Sequence, residues 1–210
     1  MILAHRGDTQ NYCSSTKESV LSALEKCDGV ELDLNISKDG VFYFYHEGDW
    51  TIPVLAREHA FSSLWQFIWN GESALSLLEG LRLAKQADKH LLIHAEIGGG
   101  GVPRARDFSS EELQQVLGIV RTSGIDRSLV LFHTTKPAKA IGFRIHGHNV
   151  FHRNPVVFKR RYGMYRFGEL MAILPHLDAN TTMAYVINDE REFQRLMDWG
   201  IGYVLTDKLF

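Results

Sequence analysis

His90-Leu91-Leu92-Ile93-His94-Ala95-Glu96-Ile97 is a short, largely apolar run that begins two residues after a helix-like stretch over 74–87. A run of this length reads as a buried strand, and the stretch before it is long enough for a helix. The same unit recurs on both sides. Toward the amino terminus, residues 14–26 read as an amphipathic helix with Val20, Leu21 and Leu24 on one face. Ser15 or Thr16 is its cap, and Glu18 lies at the capping-box distance from Ser15. A strand over 29–37 follows, and residues 1–4 form another. Toward the carboxyl terminus, a helix over 109–123 is capped by Ser109, with Glu112 three residues on. Strands are expected over 129–133, 150–152, 183–187 and 203–206, and helices over 167–174 and 190–199. Residues 49–71 read as an insertion with a short helix. With a strand over 41–46 this makes about eight strands interleaved with helices, the pattern of parallel β/α units. The fold class is therefore α/β. A small, distorted (β/α)8 barrel of the TIM type closes such a chain, and a doubly wound sheet is the alternative.

Val30-Glu31-Leu32-Asp33-Leu34 alternates apolar and acidic residues. Glu31 and Asp33 thus share one face of their strand, and Val30, Leu32 and Leu34 share the other. Asp39-Gly40 signals a hairpin turn, and Val41-Phe42-Tyr43-Phe44-Tyr45-His46 has the aromatic content of a second strand. With Asp39 and Gly40 as the two turn residues, Asp33 stands opposite His46, roughly 5 Å away at Cβ.

The 210 residues suffice for a sizeable core and read as one domain over 1–210. A formal net charge of −2 and a pI near 6.5 argue against a nucleic-acid partner. Lys159-Arg160-Arg161 is a local exception; it reads as a solvated loop, with a phosphate- or lipid-facing patch as the alternative. Cys13 and Cys27 are too few for a disulfide framework and read as free thiols. No leader and no run of ~20 apolar residues is visible, so a cytoplasmic protein without a membrane span is expected.

Ala4-His5-Arg6-Gly7 ends the first strand. His5, Arg6, Glu31, Asp33 and Glu96 all fall at or near the carboxyl ends of strands, where barrels place their active sites, and His46 joins them across the hairpin. Three carboxylates in one place repel each other unless a cation intervenes. An all-oxygen donor set suits Mg²⁺ or Ca²⁺ better than zinc. Arg6 offers a planar fork for phosphate oxygens. Two histidines that titrate near neutral pH can divide proton donation and acceptance between them. Together these groups suit cleavage of a phosphate ester with a metal ion. His94 shares a face with Glu96 and reads as a satisfied core histidine; His133 follows an apolar strand, and lining the mouth of the site is its alternative reading. His146-Gly147-His148 and His152-Arg153 read as surface loop, and Trp50, Trp65 and Trp69 as a cover over the barrel or a lid.

The ordered set resembles the glycerophosphodiester phosphodiesterase family, of the phospholipase C-like phosphodiesterase superfamily. The stretches that carry the resemblance run from Ala4-His5-Arg6-Gly7 through Gly29-Val30-Glu31-Leu32-Asp33-Leu34, Ser37-Lys38-Asp39-Gly40-Val41 and His46 to Ile93-His94-Ala95-Glu96-Ile97. They end with Tyr185-Val186-Ile187-Asn188-Asp189 and Gly200-Ile201-Gly202-Tyr203-Val204-Leu205-Thr206-Asp207. The resemblance implies a distorted (β/α)8 barrel and one divalent cation, Mg²⁺ or Ca²⁺ with Mn²⁺ as an alternative, held by Glu31, Asp33 and Glu96. It implies His5 and His46 as the acid–base pair, and Arg6 and Tyr185 on the substrate. The implied reaction hydrolyses a small phosphodiester to an alcohol and glycerol 3-phosphate. The chain departs from the family pattern at Ser14, where the family has an acidic residue, at Glu47, where it has aspartate, and at Gly98, where it has a phosphate-contacting lysine. Arg104, Arg106, Lys136 and Arg153 are candidates to replace that lysine. Two rival readings stand beside the main one: a lysophospholipase D or phospholipase of the same superfamily, and a catalytically silent phosphodiester-binding barrel.

Overall fold

The structure is a computed structural model and describes residues 1–46, 50, 58–95, 108–152, 163–173 and 178–209. Among the described residues nine strands form one sheet: β1 Ile2–His5, β2 Gly29–Ile36, β3 Phe42–Phe44, β4 His90–His94, β5 Val130–Thr134, β6 Asn149–His152, β7 Gly163–Tyr165, β8 Thr182–Ala184 and β9 Tyr203–Thr206. Every strand but β3 pairs in parallel with its neighbours, in the order β1-β2-β4-β5-β6-β7-β8-β9. The β9–β1 pairing closes the ring, so eight strands form a barrel of the expected type. Between β6 and β7 the register sets His152 against Gly163.

Six helices are described: α1 Lys17–Lys26, α2 Leu77–Ala87, α3 Ser110–Ser123, α4 Pro137–Ile145, α5 Phe167–Ile173 and α6 Glu190–Asp198. The α1 helix begins at Thr16, whose hydroxyl accepts from the Ser19 N–H while Ser19 answers from its own side chain. The capping box is thus Thr16–Ser19. Glu18 turns instead to the Ser73 N–H and hydroxyl. At α3 the expected Ser109–Glu112 box forms.

The strand count expected from sequence matches the barrel, but its membership differs. The strand after the Asp39-Gly40 turn is β3, an antiparallel appendage on β2, and the barrel's own additional strand is β7. The α4 helix was not anticipated; Pro137 starts it, with a ring that pre-sets the first-turn φ. The hairpin register also differs. Leu34 pairs with Phe44 and Ile36 with Phe42, and the Ser37 N–H donates to the Val41 carbonyl. The loop therefore has three residues, Lys38 to Gly40, with Gly40 at φ +80°. An added turn residue of this kind shifts every partner by one. Asp33 faces Tyr45, whose N–H donates to the Asp33 carbonyl at 2.9 Å, and His46 falls one position further along.

The core has two main layers. Between barrel and helices lie Val30, Leu32, Leu34, Leu91, Ile93, Val130 and Phe132, packed on Val20, Leu81, Val116 and Phe143. Inside the barrel, Leu3, Leu92, Leu131, Phe151, Met164, Met183 and Leu205 form an apolar plug. Each such side chain contributes roughly 1.5–3 kcal/mol on burial, so this plug makes the barrel a solid floor instead of a pore. Trp50, Leu64 and Ile68 of the insertion form a small core with Tyr43 and Tyr45 of the β3 segment. Trp50 is buried there and donates from its indole N–H to the Ser14 carbonyl, whereas Trp65 and Trp69 are each 62% exposed. Burial pushes the Cys27 thiol up to about 11. Among the described residues no helix is long and apolar enough to cross a membrane.

Candidate active site

Side chains two residues apart on a strand share a face. Two positions beyond the plug, Leu3 leads to His5, Leu92 to His94, Leu131 to His133, Met183 to Tyr185 and Leu205 to Asp207. The floor is apolar, and the layer above it, at the carboxyl ends of the strands, is polar. Glu31 and Asp33 belong to this same layer. Their alternation partners Val30, Leu32 and Leu34 pack outward against the helices.

The geometry of that layer is close. His5 Nδ1 lies 2.6 Å from Asp207 Oδ1, and Asp207 Oδ2 accepts from Asn188 Nδ2 at 2.6 Å. His5 Nε2 lies 3.8 Å from Glu31 Oε2. Arg6 Nε stands 3.3 Å from Asp33 Oδ2, and His94 Nδ1 2.6 Å from Asp33 Oδ1. The His94 and His133 rings stack with centroids 4.4 Å apart. The charge of His46 reaches Asp33. Tyr185 packs against the apolar floor. The structure thus brings together His5, Arg6, Glu31 and Asp33 and sets His46 and Tyr185 nearby. Glu96, Glu47 and the glycine run that includes Gly98 lie outside the described residues, as do Arg104, Arg106, Arg153 and Lys159-Arg160-Arg161.

The turn that carries Arg6 is held in an uncommon conformation. Arg6 has φ +59° and Gly7 φ +88°. A left-handed L-residue costs roughly 1–2 kcal/mol and persists only when its surroundings over-determine it. Here the Arg6 N–H donates to the Glu31 carbonyl and the Arg6 carbonyl accepts from the Ser15 N–H, both at 2.8 Å. Gly7 has no alternative, because a Cβ there would stand 2.6 Å from Ser19 Oγ. Next to it the buried Asp8 accepts from Lys26, Ser22 and Asn11 and ties the turn to α1. The turn fixes Arg6 over the acidic pair.

Electrostatics separate the two carboxylates. Burial raises the Glu31 pKa, and the neighbouring Asp33 charge raises it further, against the opposing pull of His5, His94 and Arg6. Burial acts on Asp33 in the same direction, but the His94 hydrogen bond and the charges of His94, His46 and Arg6 outweigh it and hold the group well below the usual range. For His5, burial disfavours the imidazolium, yet the Asp207 hydrogen bond and the Glu31 charge prevail and raise its pKa. Glu31 Oε2 and Asp33 Oδ2 are buried and accept no hydrogen bond among the described residues. Their nearest positive groups are the Arg6 guanidinium for Asp33 Oδ2 and the His5 ring for Glu31 Oε2, and buried carboxylate oxygens without hydrogen bonds remain costly unless enough positive charge reaches them. One donor atom each from Glu31, Asp33 and His94 lie within 4.8 Å of one another, so the residues present fit a metal ion.

Sequence reading missed Asp207 and Asn188 as members of the site and placed His94 in the core. The period-two step from Leu205 to Asp207 and from Leu92 to His94 was the available signal. It also found no replacement for the acidic residue absent at Ser14. A carboxylate does stand against that loop: Glu72 accepts from the Cys13 N–H at 3.0 Å and from the Thr16 hydroxyl at 2.7 Å. No local pattern announces it, since it comes from 56 residues away. An open cavity of ≈ 460 Å³ runs from Arg6 and Asp207 past Asn11, Tyr12 and Ser14 to Trp69.

No protein-family model matches the chain. A curated protein of Bacillus altitudinis named glycerophosphodiester phosphodiesterase is 24% identical over 234 aligned positions, covering 98% of this chain and 94% of its own. The crystal structure of a glycerophosphodiester phosphodiesterase from Thermotoga maritima superposes with a TM-score of 0.74 at 19% identity, covering 99% of this chain and 94% of that one. A phosphodiesterase of Oleispira antarctica in complex with the product sn-glycerol-3-phosphate gives a TM-score of 0.77 at 15% identity, over 99% of this chain and 92% of that one. The resemblance to glycerophosphodiester phosphodiesterases is thus carried by the sequence from end to end and by the barrel fold.

Proposed function

We propose that this chain is a metal-dependent phosphodiester hydrolase that converts small glycerophosphodiesters to an alcohol and glycerol 3-phosphate. The observation that carries the reading is the closed set above the barrel floor: His5 on Asp207, Arg6 over Asp33, and two buried carboxylates with oxygens left for a cation. The similarity to the Bacillus altitudinis and Thermotoga maritima proteins supports the same reaction class.

In this mechanism Glu31 and Asp33 would hold one divalent cation, with Glu96, two residues beyond β4 in the sequence, as a further oxygen donor. All-oxygen ligation would suit Mg²⁺ or Ca²⁺. A cation held there would supply Lewis-acid polarisation of a phosphate oxygen. Arg6 binds a second phosphate oxygen through its guanidinium, and Tyr185 lines the substrate pocket. His5, whose protonated form Asp207 favours, delivers a proton to the leaving alkoxide. His46 takes a proton from the attacking oxygen. Where that oxygen is water, glycerol 3-phosphate forms directly; where it is a neighbouring substrate hydroxyl, a cyclic phosphodiester forms first and water opens it in a second step, with the proton roles of the two histidines exchanged. Phosphorus gains one oxygen and loses the other, and one proton moves in each direction.

The test is hydrolysis of bis(p-nitrophenyl) phosphate, followed by a panel of glycerophosphodiesters and lysophospholipids. Turnover that EDTA abolishes, that a divalent cation restores and that His5→Ala and His46→Ala each eliminate is the expected result. Absence of turnover with every cation, together with retained diester binding, would leave a binding barrel in its place.

A further inference from the structure

The donor set at the acidic pair contains a nitrogen that an Mg²⁺ or Ca²⁺ site does not need. We propose that the His94 imidazole is a ligand of the cation alongside Glu31 and Asp33, and that this mixed donor set makes the site prefer a first-row transition ion such as Mn²⁺, Co²⁺ or Zn²⁺ to Mg²⁺ or Ca²⁺. The inference rests on the reading that this pocket holds the reaction's cation.

Strand register puts the residue there. Asp33 and His94 are direct partners across β2 and β4, and both side chains point up from the apolar floor. Two side chains paired in this way on one face of neighbouring strands cannot avoid each other. His94 Nδ1 meets Asp33 Oδ1 at 2.6 Å, and its ring is braced on the other side by His133, 4.4 Å away between centroids. The imidazole is therefore fixed and its rotamer constrained, as a preorganised ligand must be. Its donor atom lies within 4.8 Å of those of both carboxylates. Glu31 Oε2 and Asp33 Oδ2, the oxygens that complete the set, are buried and without hydrogen bonds among the described residues.

The chemistry then selects the ion. Ca²⁺ gathers six to eight oxygens and Mg²⁺ keeps several of its waters, so an imidazole adds little to either. Imidazole suits zinc, iron, nickel and copper, and affinity for such sites rises along the first-row series from Mn²⁺ toward Cu²⁺. A histidine among carboxylates thus shifts preference without closing the site to oxygen ligands from substrate or water.

Binding of the metals alone tests this. The chain, stripped with EDTA and exchanged into chelator-free buffer, is titrated calorimetrically with MnCl₂, MgCl₂ and CaCl₂ in separate runs, and with CoCl₂ by visible absorption. Mn²⁺ is expected to bind more tightly than Mg²⁺ or Ca²⁺. The variant His94→Asn, which keeps a donor for Asp33, should lose roughly ten- to a hundredfold in Mn²⁺ and Co²⁺ affinity while Mg²⁺ binding stays the same. Tighter binding of Mg²⁺ or Ca²⁺ by the native chain overturns the proposal. So does an equal loss for all ions in the variant, which would mean that His94 only orients Asp33. Should the variant fail to fold by circular dichroism, the native chain with ¹⁵N-labelled histidine decides: on saturation with Zn²⁺ the His94 ring nitrogen must shift, and an unmoved signal refutes the assignment. Hydrolysis of bis(p-nitrophenyl) phosphate is followed in the same samples. Tight Mn²⁺ binding without turnover would sink the hydrolase reading and leave the ligand assignment standing. Turnover with Mg²⁺ binding tighter than Mn²⁺ would do the reverse.

Discussion

Replacing Asp207 with Asn removes one negative charge beside His5 and keeps the shape of the side chain. His5 Nδ1 touches Oδ1 at 2.6 Å, and Asn188 holds the other oxygen. Burial works against the His5 imidazolium, and the Asp207 contact is the largest influence in its favour. A hydrogen bond to a charged group contributes roughly 1.5–3 kcal/mol. Asp207 is 38% exposed, so water screens part of this, and about 1 kcal/mol is the fitting magnitude. That corresponds to about 0.7 of a pKa unit. The His5 titration in Asp207→Asn should therefore fall to lower pH by about half to one unit. The sign of the stability effect follows. Because folding raises the His5 pKa, the imidazolium's contribution is complete below the ordinary histidine value of about 6.5 and fades as pH rises through the folded value. Asp207 has a lowered pKa, despite its burial, owing to His5 and Asn188, so its share is lost as pH falls through that lowered value. Native and variant chains should differ in urea stability near pH 5.5 and converge near pH 8.5. The measurement is an imidazole NMR titration in EDTA, paired with urea unfolding at both values. If His5 is the proton donor, the alkaline limb of kcat/KM moves down with its titration. An unmoved His5 midpoint, or an equal stability loss at both pH values, would refute the reasoning.

Gly7→Ala must place a Cβ 2.6 Å from Ser19 Oγ and 2.9 Å from the Ser19 carbonyl carbon, at φ +88°. The conformational cost of roughly 1–2 kcal/mol and overpacking of roughly 1–3 kcal/mol add to a loss of about 2–5 kcal/mol. A urea midpoint within error of the native chain would contradict it. Glu31→Gln should act in opposite directions with and without metal. Folding raises the Glu31 pKa, chiefly through burial, so the ionised group costs stability above its unfolded value and the amide removes that cost. Thermal melts in EDTA should rank the variant above the native chain by about 1–3 kcal/mol, and melts with saturating Mn²⁺ should reverse the order. Trp50→Ala should cost about 3–5 kcal/mol, since that indole is buried and bonded to the Ser14 carbonyl. Trp65→Ala should stay within about 0.5 kcal/mol; a comparable loss at both tryptophans would restore the idea of a joint cover.

What could be read in advance divides along a physical line. Period-two alternation within one strand is local, so the shared face of Glu31 and Asp33 was legible, as was the polar end of each long strand. The α4 helix buries Ala140 and Phe143 but exposes Ile141 and Ile145, so its apolar residues mark no single face for a helical period to declare. The height at which one strand meets the next is not local at all. It depends on the tilt that closes the barrel, and it decides that Asp33 meets His94 and that Leu3 and Leu205 put His5 level with Asp207. A turn residue more or less has the same reach: the three-residue loop at Lys38 to Gly40 moved His46 from directly opposite Asp33 to the next position. This is why His94 looked like core. Its apolar neighbours Leu91, Leu92 and Ile93 describe the lower part of the strand, and only the register shows that the residue itself has risen above the floor. Carboxylates announce themselves one by one along a chain, whereas an imidazole becomes a candidate ligand only when the neighbouring strand sets it beside them.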